Sequence, residues 1–278
     1  MREGQELAPA AAPGLRLWQA LLWVLGAGVA AQLAGGLVAT LMRTSLVGAG
    51  ARAEQLQGSA LVILPSMVAS MGAMLGITLL SPLLSGRPLG PSLGLRPAHP
   101  ASYLAAAAGT IALGPLGDLF MRTAEQLWPD ATLDAVPMLR QLVQDSPLLY
   151  VWPVVALMPG LCEELLFRGL LQRAAPPGFA AITVSAVSFA LFHVDPHHIA
   201  GVLPLGLFLA WVAERHGTWV SIVAHVANNS AAIAATSSAQ FDVGYGTDVE
   251  MPLWWMLPGL GIAALCARVL VKLPARTA

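Results

Sequence analysis

The chain has 278 residues, 56% of them hydrophobic and 10% charged, with a mean hydropathy of +0.70. Ordinary soluble domains carry roughly a quarter charged residues, so this composition excludes a water-soluble globule. A net charge of -1, from 14 Lys and Arg against 15 Asp and Glu, leaves no basic excess for a phosphate backbone and argues against a nucleic-acid partner.

A helix crossing the hydrocarbon core of a membrane needs about 20 mostly apolar residues. Residues 17–42, between Arg16 and Arg43, supply the first such run; it is too long for a signal-peptide core and reads as a retained helix. The second run lies between Glu54 and Arg87. A third begins near Pro100 and is uncharged to Gly117, after which Asp118, Arg122 and Glu125 suggest a polar helical end. Residues 129–145, with Pro129, Asp130, Asp134, Pro137, Arg140 and Asp145, read as a loop holding a short amphipathic helix. The fourth span starts near Ser146, runs apolar to Cys162, meets Glu163, Glu164 and Arg168, and stops at Pro176-Pro177-Gly178. Later candidates cover 179–194, 198–213, 217–238 and 252–271.

The expected fold class is therefore all-α, a polytopic membrane protein with about eight transmembrane helices. Its expected divisions are 1–145 (helices 1–3 and the amphipathic connection), 146–240 (helices 4–7) and 241–278 (a polar loop, the last helix and a basic tail). No internal repeat is visible. Cys162 and Cys266, the two cysteines, lie in apolar stretches and read as packed apolar side chains. Trp18, Trp23, Trp128, Trp152, Trp254 and Trp255 suit interfacial belts or lipid contact.

Positive residues concentrate on cytoplasmic flanks. With both termini inside, Arg2, Arg16, Arg87, Arg96, Arg168, Arg173, Arg215, Arg268, Lys272 and Arg276 fall in the cytoplasmic half. Arg43, Arg52, Arg122 and Arg140 fall in the other half, and the acidic Asp242, Asp248 and Glu250 lie outside. Ten against four favours an N-in, C-in arrangement, and the absence of organelle signals suits a bacterial cytoplasmic membrane.

Charged groups inside a membrane helix cost about 2.5–3.5 kcal/mol each on insertion scales, so Glu163, Glu164 and Arg168 need compensation. Glu164 and Arg168, four apart, share a helical face and suit an ion pair. Glu163 is turned about 100° away, free to point into a cavity where its carboxylate takes a proton from water. Phe189 with His193, and His225 with Asn229, are likewise four apart and share helical faces. At 1.5 Å per residue, Glu163 lies roughly 15 Å from Arg173, His225 roughly 12 Å from Gly217 and His193 roughly 22 Å from Gly178. One mid-membrane site built from three helices is compatible with those depths.

Glu163-Glu164-Leu165-Leu166-Phe167-Arg168-Gly169 resembles the EExxFRG signature of the CAAX-protease and bacteriocin-processing (CPBP, or Abi) family of intramembrane proteases. Phe189-Ala190-Leu191-Phe192-His193 resembles its FxxxH motif and His225-Val226-Ala227-Asn228-Asn229 its HxxxN motif, in the same order, over about residues 146–235. The resemblance implies an endopeptidase of membrane-associated substrates: CAAX tails, leader peptides or sorting tails. It implies that Glu163 and His193 activate the attacking water, and that His225 and Asn229 stabilise the oxyanion. Glu164 and Arg168 would shape the site. A metal is left open by the resemblance; if zinc binds, Glu163, His193 and His225 would be its ligands, although no HExxH is present.

Plainer readings stand beside these. The Glu164–Arg168 pair alone could be structural. His193 could be a helix-end histidine, Asn228 and Asn229 could bond across helices, and His197 and His198 read as interfacial, with Pro196 breaking the helix before them. Two other functions suit buried polar groups: a proton-coupled transporter, which should show repeat symmetry and broken helices in both halves, and a catalytically silent scaffold or immunity protein. The partners expected are membrane lipid and a membrane-anchored protein or peptide.

Overall fold

The computed structural model describes residues 14–56, 58–130, 135–237, 254 and 256–274, with the backbone alone for 135–139. Arg2, Asp134, Asp242, Asp248, Glu250, Trp255, Arg276 and the side chain of Pro137 lie outside the described residues.

Every regular element among the described residues is helical. The principal ones are α1 Leu17–Gly48, α2 Ala60–Leu84, α3 Pro100–Ala112, α4 Gly114–Leu127 and α5 Ala135–Asp145. After them come the helical run α6 (148–174), α7 Phe179–Leu191, α8 Pro196–His216, α9 Thr218–Ser237 and α10 Met256–Lys272. Helices thus stand at each position expected from the sequence. Among the described residues, four stretches are long and apolar enough to cross a membrane: α1, α2, Pro100–Leu127 taken together, and α8. The number of eight spans is not reached on that measure, for physical reasons. With 13 residues α7 is about 20 Å long, short of a hydrocarbon core of about 30 Å. The run α6 is broken by π-helical turns, and α9 carries His225 and two asparagines. Conversely α8, expected to be short, has 21 residues, because Asp195 accepts hydrogen bonds from the backbone N–H of His197 (2.9 Å) and His198 (3.4 Å) and Pro196 occupies the first helical position.

The polarity of the bundle is inverted relative to a soluble protein. On α1 the buried face is Ala20, Val24, Ala27, Ala31 and Gly35, whereas Leu22, Leu25, Val29, Leu33 and Leu37 are exposed. Small residues let α1 and α2 approach closely, and the Ser70 hydroxyl donates to the carbonyl of Ala31 at 2.9 Å. Leucines turned outward suit lipid, where burying them against protein gains nothing. Cys162 is buried in the α6 core as expected of a packed apolar side chain.

The layers that position the site are α6, α7, α8 and α9. The run α6 ends at Ala174, before the Pro-Pro-Gly breaker, and α7 begins at Phe179 after Gly178 adopts φ +87°. Helix α7 packs on α8, α8 on α4, and α9 on both α3 and α6. A glycine sets the last of these contacts. A Cβ on Gly160 would lie 2.5 Å from Val226 Cγ2 and 3.0 Å from the Val226 backbone nitrogen, so only glycine lets α6 and α9 meet there. Gly160→Ala is expected to cost about 1–3 kcal/mol through overpacking, read as a lower thermal midpoint in detergent. An unchanged midpoint would show that the helices separate freely.

Candidate functional site

The segment holding the two glutamates, Met158–Glu164, is flanked by π-helical turns at Pro153–Leu157 and Leu165–Leu171. Such turns widen the backbone and recur at functional sites. Prolines contribute here: Pro159 has no N–H to give to the carbonyl of Val155, one turn earlier. That carbonyl instead accepts a long hydrogen bond of 3.4 Å from Asn229 Nδ2, which ties the asparagine of α9 to the α6 backbone.

Consecutive glutamates diverge, as the 100° helical step requires. Glu164 is fully buried, and its Oε1 lies 2.9 Å from Arg168 Nη1 and 2.8 Å from His225 Nδ1. Glu163 instead faces a cavity of about 390 Å³, with its Oε2 3.9 Å from His225 Nε2. One imidazole therefore stands between the two carboxylates: Nδ1 is held by Glu164, and Nε2 is turned to Glu163. Helical proximity of Gly160 and Val226 makes this reach possible.

Arg168 is buried to 1% exposure and carries the offset for Glu164 that the sequence demanded. Its Nη2 donates to the Gly206 carbonyl at 3.1 Å, and its guanidinium carbon sits 4.3 Å above the Phe189 ring. Gly206 carries no Cβ to crowd Phe189, whose Cδ1 would lie 3.1 Å from one. Phe189 then contacts both His193 (centroids 5.0 Å) and His225 (5.8 Å), edge to face. The FxxxH spacing thus describes an aromatic brace for two histidines. His193 lies beyond the last residue of α7, and its Nδ1 is 3.0 Å from the Phe189 carbonyl oxygen, leaving Nε2 free of a backbone partner.

Glu163, His193, His225 and Asn229 all line this cavity, and Glu164 and Arg168 sit behind it. Asn228 lines it as well. His197 and His198, read as interfacial, both make contacts within the protein. His197 is buried with Nε2 2.8 Å from the Trp128 carbonyl oxygen, and His198 lines the cavity with its ring 4.5 Å from that of His193. The cap at Asp195 turns both inward, a signal present in the sequence as Asp-Pro before a helix. Trp152, read as interfacial, donates from Nε1 to the Ser230 hydroxyl at 2.8 Å and so pins α6 to α9.

No group of three or more His, Cys, Asp and Glu side chains among the described residues converges as metal ligands do. Glu163, His193 and His225 therefore do not fit a zinc ion as they stand.

Residues 145–231 match the family described as Type II CAAX prenyl endopeptidase Rce1-like. The core α6–α9 carries a CAAX-protease-family unit. Neither a curated relative nor a solved structure matches the chain. The match implies a peptidase, and the apolar helices support a membrane protein. All nine fixed residues of the three motifs fall inside the matched segment, while α1–α4, α10 and all of α5 but Asp145 lie outside it.

Proposed function

We propose that the chain is an intramembrane endopeptidase that hydrolyses membrane-associated peptides by water activated at Glu163. The observation that carries this reading is the separation of the two glutamates: one is neutralised behind the site, and the other faces a cavity shared with His193, His225 and Asn229. A structural ion pair needs only Glu164 and Arg168, and it gives no reason for a second carboxylate at the cavity wall.

In the proposed cycle a water held between Glu163 and His193 gives a proton to Glu163 and attacks the scissile carbonyl carbon. The carbonyl oxygen gains the electron pair and becomes an oxyanion. His225 faces it with Nε2, its ring held through Nδ1 by Glu164, and Asn229 donates its second amide hydrogen. Glu163 then gives its proton to the leaving nitrogen as the C–N bond breaks. Removing one oxyanion donor typically costs about 10²–10³-fold in kcat. Asn229→Ala is expected to lower kcat in that range with little change in KM; an equal rate would remove Asn229 from the reaction.

In the membrane we place the termini inside, in a bacterial cytoplasmic membrane, on the ten-to-four distribution of positive residues. CAAX tails, leader peptides and sorting tails are the substrate classes to be tried. The test is cleavage of such membrane-anchored substrates in producing cells by wild type, Glu163→Ala and His193→Ala at matched expression, then on purified protein with and without a zinc chelator. The product is expected to vanish in both variants and to survive chelation. Normal processing by both variants would reject the site, and chelator loss restored by zinc would require a metal mechanism.

A further inference from the structure

The cavity lining contains one feature outside the matched segment that the proposed cycle does not use. Arg140, on α5, lines the same cavity as Glu163 and His193. Its helix is docked rather than free: Leu142 and Val143 are buried against Val151, Val155 and Ile233. Arg140 is therefore carried on a packed helix and is itself half-buried. Ion pairs among the described residues join Arg122 to Asp118, Arg168 to Glu164, and His225 to both glutamates; none includes Arg140. The other acid in the lining, Asp118, pairs through Oδ2 with Arg122 at 2.7 Å, and its Oδ1 is buried with no hydrogen-bond partner.

A half-buried cation in an apolar bundle is costly without a counter-charge. A guanidinium presents a planar fork of donors that matches a carboxylate in two parallel hydrogen bonds. The walls around it are apolar and pliable, with Met67, Met71 and Met121 among them. A volume of about 390 Å³ suits a short length of extended peptide, not a folded domain.

We propose that Arg140 binds a carboxylate on the peptide whose backbone Glu163 attacks, so that the enzyme selects peptides bearing an acidic group near the scissile bond. This rests on the peptidase reading above. A lipid phosphate is the competing occupant, but Arg140 shares a cavity with the proposed water-activating residues, where a substrate must enter.

Two experiments separate this inference from the reading it rests on. The first reads binding without turnover. Glu163→Gln protein in phosphatidylcholine nanodiscs is titrated with a lipid-anchored peptide library, each sequence made with a free C-terminus and as the amide, and with Glu or Gln near its centre. Carboxylate-bearing members are expected to bind about 10-fold or more tightly than their neutral counterparts. Adding Arg140→Gln should erase that preference, and Arg140→Lys should restore part of it. The free-acid and Glu arms tell which carboxylate is read. Equal binding of acidic and neutral peptides, or a preference that survives Arg140→Gln, overturns the proposal. An Arg140 effect that follows phosphatidylglycerol content instead of peptide charge assigns the residue to lipid and overturns it as well. The second experiment measures cleavage of the same library by protein with Glu163 intact. Arg140→Gln is expected to raise KM for acidic peptides about 10-fold with kcat nearly unchanged. Loss of hydrolysis in all arms, with binding preference intact, would count against the peptidase reading and leave the carboxylate site standing.

Discussion

Glu163→Gln is expected to reduce peptide hydrolysis by about 10²–10⁴-fold, the usual worth of a positioned general base. The amide keeps the size of the side chain at the cavity wall but cannot accept the proton of the attacking water. Because Glu163 is not part of the Arg168 pair, folding should be little affected, and the thermal midpoint should stay near that of the parent protein. The loss should fall on kcat, since a substrate held by the cavity walls and α5 does not depend on this carboxylate for binding. A scaffold or immunity protein predicts no effect, and a proton-coupled carrier predicts loss of flux without any peptide product.

Arg168→Met is expected to be the most destabilising single change, at about 3–5 kcal/mol. It strands Glu164 in a site where both side chains have no measurable exposure, and it removes the hydrogen bond to Gly206 and the contact over Phe189. Its consequence should reach the proposed chemistry, because Glu164 also holds Nδ1 of His225 at 2.8 Å. The double variant Glu164→Gln with Arg168→Met is expected to recover part of the stability, since no unpaired charge is then buried, but not the activity. Thermal unfolding in detergent, followed beside cleavage, checks both statements. A midpoint unchanged by Arg168→Met would mean that water reaches this pair.

Much of this arrangement was legible in the sequence because it is helical geometry. A four-residue separation placed Glu164 on Arg168 and Phe189 on His193, and a one-residue step sent Glu163 elsewhere. Apolar run lengths located the helices, and Pro176-Pro177-Gly178 located a break. What stayed hidden is tertiary or depends on caps. Nothing local says that Gly160 faces Val226, that the carbonyl of Val155 meets Asn229, or that Arg140 comes to the cavity from a connecting helix. The π-helical turns around the glutamates escaped because a 3.6-residue pattern does not reveal where one extra residue is accommodated. The place of His198 on the cavity wall was hidden too, because its neighbours are polar and the Asp195 cap decides where the turn points it.

The most direct measurement is hydrolysis in H₂¹⁸O by purified protein in lipid vesicles, with lipid-anchored peptides as substrate and products read by mass spectrometry. Water activated at Glu163 predicts cleavage at defined bonds, one ¹⁸O atom in each new carboxylate, and no such product from Glu163→Gln at equal folded amount. Labelled product from Glu163→Gln at the wild-type rate, or no product from wild type while protons or solutes cross the vesicle membrane, would contradict it.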